Sequence, residues 1–119
     1  MITMQEYLKG QTLPDQYEEI AKELLKRLNN FRLEYGKPMV VTSGYRNTEH
    51  NKRVGGAVNS KHCSAMACDF LDNDADIKTF IMNDPDVLVR CELHMEHPAH
   101  TVGWCHLDMY SRTIRIFIP

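Results

Sequence analysis

The sequence predicts an α+β domain with a small, largely antiparallel sheet and two or three helices. A long amphipathic run between residues 17 and 35 supplies the main helix, and about five short β-type runs follow it, the last three adjacent in the chain. With 119 residues, 43% of them apolar and 25% charged, the chain suits one buried core spanning residues 1–119.

The first helix is expected to start after Thr12, because a capping-type Thr, Pro14 in the first turn and acidic residues beside the N-terminus are all start signals. Tyr17, Ile20, Ala21, Leu24, Leu25, Leu28, Phe31 and Tyr35 then recur at helical spacing, with Glu18, Glu19, Lys22, Glu23, Lys26 and Arg27 opposite, until Gly36 and Pro38 stop the run. Pro38 to Thr42 is apolar and partly β-branched, hence strand one. Asn47 or Thr48 caps a short helix through about Arg53, and Gly55-Gly56 ends it. Ala57 to Ser64 reads as a polar loop and Ala65 to Leu71 as strand two. Asp72-Asn73-Asp74 turns into a helix of about ten residues that stops before Pro85. Val87 to Leu93 is expected as strand three, and Trp104 to Met109 and Ile114 to Ile118 as strands four and five, joined in a hairpin at Tyr110-Ser111-Arg112. His94 to Gly103 is then a loop carrying Glu96.

Composition narrows the function. Lys plus Arg is 14 against 16 Asp plus Glu, a net charge of -2, and no block of five like charges occurs, so neither nucleic acid nor an anionic membrane surface is an expected partner. No run of 18 apolar residues exists, and Met1 to Glu6 has neither the basic nor the apolar segment of a secretion signal. A cytoplasmic monomer, as synthesised, is the expectation. Cys63, Cys68, Cys91 and Cys105 form no Cys-x-x-Cys pair and read as reduced thiols. Four of the six histidines, His94, His97, His100 and His106, fall within thirteen positions.

Strand alternation brings chemistry-bearing residues together. In strand two Ala65, Ala67, Asp69 and Leu71 share a face, and an Asp among alanines on a buried strand is costly unless paired or bound to a cation. His62 lies seven residues upstream, within reach of Asp69. In strand four Trp104, His106 and Asp108 share a face, opposite Cys105, Leu107 and Met109. Two imidazoles and a carboxylate form the ligand set of an open zinc site, so His62, Asp69 and His106 are candidate Zn2+ ligands; a hydrogen-bonded core pair is the competing reading. Cys68 and Cys105 alternate away from that face, as small core residues do.

The stretch Ser43-Gly-Tyr-Arg46 followed by Asn, Gly55-Gly56, Ser60-Lys-His62 and Ala67-Cys-Asp69, with Trp104-Cys105-His106 later, closely resembles the signature of the zinc D-Ala-D-Ala carboxypeptidase family, which shares its fold with the hedgehog signalling domain. The resemblance covers about Pro38 to Asp108. It implies a hedgehog/DD-peptidase-like fold, zinc held by His62, Asp69 and His106, and Arg46 meeting a substrate carboxylate or carbonyl through its planar fork. It also implies a substrate-binding role for Ser60, whose hydroxyl donates to substrate or steadies a metal ligand, against the simpler reading of a turn residue. Trp104 reads as a wall of the cleft.

Two positions depart from the family pattern. Ala65 stands where Gly is usual, a change expected to be tolerated if the backbone there is β. The position that often carries the general base, three before the last histidine, is Gly103, and the residue two before it is Trp104 rather than His. Glu96, upstream of the Thr101-Val-Gly-Trp104-Cys-His106 stretch, resembles the version found in compact members, and is the expected base; Glu92 and Asp108 are its rivals. His94, His97 and His100 either support an oxyanion and orient Glu96 or are solvated loop histidines.

The resemblance therefore implies a metallopeptidase acting on the stem or cross-link peptide of peptidoglycan next to D-alanine or a related D-residue, by carboxypeptidase or endopeptidase cleavage. The compact single domain suits an endolysin-like phage enzyme, released to the cell wall by a holin or carried in a virion. A non-catalytic, zinc-stabilised binding or phage-assembly module on the same fold is the alternative.

Overall fold

The computed structural model describes residues 1–119 and forms an α+β fold around one five-stranded sheet. The chain runs α1 (Met4–Leu8), a 3-10 turn at Asp15–Tyr17, α2 (Glu18–Tyr35), β1 (Val41–Ser43), α3 (Thr48–Arg53), a 3-10 turn at Lys61–Ser64 and β2 (Ala67–Leu71). It continues through α4 (Asp76–Asn83), α5 (Asp86–Cys91), β3 (His94–Glu96), a 3-10 turn at Pro98–His100, β4 (Trp104–Asp108) and β5 (Ile116–Phe117). Strand order is β1-β2-β4-β3-β5, with every pairing antiparallel except β3 with β5.

The long helix obeys its periodicity: α2 buries Ala21, Leu24, Leu25, Leu28 and Phe31, and Gly36 closes it in the left-handed conformation. Those residues join Val41, Cys68, Phe70, Met95, Cys105 and Leu107 from one face of the sheet in a single core. Alternation then forces Asp69, Glu96 and His106 to the other face, and an irregularity in register between Val41 and Ser43 brings Ser43 into line with Asp69. No helix is long and apolar enough to cross a membrane.

The five α-helices exceed the two or three expected, and the differences have local causes. Thr3 and Glu6 form a capping box that starts α1, and Tyr7 of that helix is fully buried with its hydroxyl donating to the Ala67 carbonyl at 3.0 Å. Residues 12–17 open with a 3-10 turn, and the α-helix itself begins at Glu18. Val87 to Leu93, expected as strand three, is instead the helix α5. Its β-branched content is overridden by burial of Val87, Leu88 and Cys91 at helical spacing, and Glu92 ends it in the left-handed conformation. The third strand is displaced to His94–Glu96, inside the expected loop. The expected hairpin between the last two strands does not form: β5 crosses to the far side of β3 and pairs with it in parallel, Met95 opposite Ile116 and Glu96 opposite Phe117. Asp108 sets that crossing, since its carboxylate takes the Tyr110 N–H and both Arg112 guanidinium nitrogens and turns the chain away from β4. Ala65 is left-handed (φ 61), not β, and fully buried at the end of a 3-10 turn. Glycine is the natural occupant of such a position, so Ala65 carries a backbone cost of about 1 kcal/mol.

Candidate metal centre and cleft

Neighbouring strands place the candidate residues in one row across the sheet. Ser43 on β1 pairs with Asp69 on β2, and Asp69 pairs with His106 on β4. Met95 pairs with Leu107, so one step further along that antiparallel register Glu96 comes beside His106, and Glu96 in turn pairs with Phe117. His62 joins the row from the 3-10 turn that feeds β2. The result is a cleft of about 530 Å³ lined by His62, Asp69, His106, Glu96, Arg46 and Trp104, among others.

The three candidate ligands converge. Asp69 Oδ2 lies 3.2 Å from His62 Nε2, and Asp69 Oδ1 lies 2.7 Å from His106 Nδ1. Donor atoms of all three fall within 4.8 Å of one another. The outward nitrogens are engaged elsewhere: His62 Nδ1 meets the Gly44 carbonyl at 2.7 Å, and His106 Nε2 meets Asp108 Oδ2 at 2.9 Å. A carbonyl can only accept, so His62 carries its proton on Nδ1 and turns the Nε2 lone pair inward. When neutral at the nitrogens that face Asp69, the two imidazoles and the carboxylate aim lone pairs at one point, and this donor set with outer hydrogen bonds to a carbonyl and a carboxylate suits a zinc ion. The residues fit the metal.

The electrostatics agree. Burial works to raise the Asp69 carboxyl, but hydrogen bonds from His106 and His62 outweigh it and hold the group well below the usual carboxylate range. Burial works to lower His106, but hydrogen bonds to Asp108 and Asp69 outweigh it and push the imidazole up to about 9. Both shifts place positive charge, a proton on His106, beside Asp69. Asp108 is itself fully buried, and although burial raises it, His106 and Arg112 bring its carboxyl below the usual range.

Glu96 differs from Asp69 and Asp108, the other two acids of the cleft, in having no hydrogen-bond or ion-pair partner within the chain. It is half-buried on the cleft wall, and burial is the main cause that raises its carboxyl, with the Asp69 and Asp108 charges adding and His106 and His100 opposing. Its rivals are placed differently. Glu92 is exposed outside the cleft, 3.8 Å from Arg27. Asp108 lines the cleft floor but has both oxygens engaged, by Arg112 at 2.6 and 3.2 Å and by His106. Gly103 adopts φ 94, a conformation that a glutamate there would adopt only under strain.

Arg46 is fixed before any ligand arrives. Its Nε donates to Ser43 Oγ at 2.9 Å, and its terminal nitrogens donate to Asn51 Oδ1 at 3.2 Å and to Asp69 Oδ2 at 3.5 Å. Asn51 is buried and anchored to the Ala57 carbonyl, and Gly56 lies so close that a Cβ there would stand 2.0 Å from Asn51 Oδ1 and 2.8 Å from Arg46 Nη1. Ser60, which lines the cleft, caps the 3-10 turn by accepting from the His62 N–H at 3.2 Å and so steadies a candidate ligand. Trp104 is partly exposed at the opposite end of β4 from Asp108. His94 is buried against the Ile114 carbonyl outside the cleft, and His97 caps the Pro98–His100 turn, so neither meets the reacting centre.

Sequence reasoning passed over the residues that act through others. Ser43 and Asn51 support Arg46, Arg112 supports Asp108, and the buried Lys78 donates to the Thr101 carbonyl. With the Asp72 N–H bonded to the Gly103 carbonyl at 3.0 Å, that lysine pins the segment between Glu96 and His106. Ser43 three before and Asn51 five after Arg46 were a readable signal; the reach of Lys78 across 23 positions was not.

Residues 2–97, 96 of the 119, match the model of the family described as Peptidase M15. The matched stretch includes His62, Asp69, Arg46 and Glu96 and stops short of His106, which the sheet register brings to the same centre. No curated protein matches the chain.

Proposed function

The chain belongs to the peptidase M15 family of zinc-dependent metallopeptidases, and from that premise we propose that it hydrolyses a peptide bond of bacterial peptidoglycan next to D-alanine or a related D-residue. The alignment of Ser43, Asp69, His106 and Glu96 in one row, with Arg46 above Asp69, is the observation that supports this reading.

His62 Nε2, an Asp69 oxygen and His106 Nδ1 would hold the zinc. When bound, the metal supplies a Lewis acid for the scissile carbonyl. Glu96 is the general base: its carboxylate takes a proton from the attacking water and returns it to the leaving amine, a double duty suited to a carboxyl raised by burial. Arg46, with Ser43 and Asn51 holding its orientation, donates to a carboxylate or carbonyl of the substrate. Ser60 offers a second donor, and Trp104 forms the wall at the far end. Asp108 holds His106 in the tautomer that leaves Nδ1 free, and Arg112 holds Asp108. Carboxypeptidase and endopeptidase cleavage use this machinery alike, and an endolysin-like enzyme delivered to the wall is the setting we favour.

The test is Glu96→Gln assayed on purified muropeptides beside Glu92→Gln and Asp108→Asn. Glu96→Gln should keep its zinc and lose about 100-fold or more in kcat. Glu92→Gln should match the parent, and Asp108→Asn should lose metal affinity by about 10- to 100-fold. A parent no faster than zinc-containing buffer would end the peptidase reading and leave a zinc-stabilised binding module.

A further inference from the structure

Resting on the peptidase reading, we propose that Lys61 and Tyr110 form a second anion subsite, separate from Arg46, which holds a carboxylate of the substrate peptide away from the scissile bond.

Three cations line the cleft: Arg46, Lys61 and Arg112. Two of them are committed. Arg46 bonds Ser43, Asn51 and Asp69, while Arg112 grips both oxygens of Asp108 and lays its guanidinium carbon 3.6 Å from the centre of the Phe117 ring. Lys61 has no carboxylate partner. Its ammonium instead sits over the Tyr110 ring, 3.8 Å from the centroid, with the Arg112 guanidinium carbon 5.1 Å from the same centroid, and the Tyr110 backbone is held because its N–H donates to Asp108 at 3.2 Å. A cation over an aromatic face consumes no hydrogen-bond acceptor, so the ammonium is held in place with its donors still available. An arriving carboxylate offers a charge-assisted hydrogen bond, which is stronger than the contact it perturbs.

Position and charge define the ligand. Lys61 immediately precedes His62, and Tyr110 follows β4, so the pair lies at the end of the β2–β4 ladder where Ala67 meets Asp108. Trp104, opposite Leu71, marks the other end. A peptide laid along the cleft would therefore present its anionic group at the Lys61 end and its less polar part to Trp104. With Arg46 paired to Asp69 and Arg112 to Asp108, Lys61 is the one uncommitted cation of the cleft, and a single point charge suits a monoanionic carboxylate better than a doubly charged phosphate.

The experiment uses zinc-loaded protein and a stem peptide whose carboxylates are amidated one at a time. With the parent and with Arg46→Lys, one amidation should raise KM and lower kcat/KM by about tenfold, the scale of one charge-assisted hydrogen bond. With Lys61→Met that same amidation should change nothing, with zinc content equal to the parent's, and Lys61→Arg should restore the discrimination. If every amidation acts identically in Lys61→Met and parent, the subsite is wrong. If the parent cleaves none of the peptides, the peptidase reading fails separately, and calorimetric binding of the same set decides the subsite: acid and amide bound alike by Lys61→Met but not by the parent supports it, and equal discrimination by both overturns it.

Discussion

Arg46 shows how much of a site is decided one side chain away from it. Its guanidinium spends a donor on each of Ser43, Asn51 and Asp69, so its plane is set in advance and little rotamer freedom remains to be lost on binding. Lysine keeps the charge but not the fork. Arg46→Lys should therefore lose about 1.5 to 3 kcal/mol in kcat/KM while zinc measured by elemental analysis stays at the parent level; equal turnover would reduce Arg46 to a structural ion pair with Asp69. Glu96 makes a second prediction, in stability. Its carboxyl is raised by burial, so the fold tolerates the ionised form less well than the unfolded chain does. A raised carboxyl favours the folded state only while protonated, and that advantage is lost as pH rises through the folded value. In chelator-treated protein, Glu96→Gln should thus melt above the parent at pH 7, and the gap should close as pH falls below the ordinary glutamate range. A variant that melts lower at pH 7 would mean that Glu96 has a stabilising partner.

At the scale of elements, the residues that carry alternation were legible and the residues that break it were not. Asp69 and His106 could be placed on one face because β2 and β4 are regular over five residues each. The assignment of Val87 to Leu93 to a strand failed because a β-branched run of that length is equally at home in a helix once α2 offers a surface to bury Val87, Leu88 and Cys91. The crossing of β5 could not be read either, since it depends on Asp108 gathering Tyr110 and Arg112, a tertiary event with no periodic signature. The Ala65 departure was visible but misjudged: the usual glycine there serves a left-handed turn. In Ala65→Gly the relief of about 1 kcal/mol is nearly offset by the loss of a buried methyl, about 0.8 kcal/mol. The α3 loop gives a sharper prediction. Gly56→Ala drives a methyl into the Asn51 amide, which cannot retreat because it is buried and tied to Ala57. It should destabilise the fold by about 1 to 3 kcal/mol and, by breaking the bond to Arg46, lower kcat/KM about tenfold, with zinc retained. A fully active Gly56→Ala would show that Asn51 does not orient Arg46.

For the whole molecule, metal and fold are one system. Zinc at about 1,000 times its Kd would add about 4 kcal/mol to stability, which for a domain of this size is a shift in Tm of more than about 10 °C. Chelation followed by calorimetry should show that drop, and re-addition of zinc should reverse it; an unchanged Tm would place the metal elsewhere or nowhere. His62→Ala and His106→Ala should already sit near the chelated value.

The single row across the sheet would also govern how slowly a metal held there is released. Asp69 and His106 face each other on the longest ladder, β2 with β4, at the centre of five strands, while His62 is bound to the loop after β1 by both its ring and its backbone carbonyl. Opening of the loop that carries His62 would leave Asp69 and His106 together, so these last two candidate ligands part only when the central strands do, the motion that amide hydrogen exchange finds slowest in a small domain. Residence time, rather than affinity alone, is what two candidate ligands on the central ladder would set.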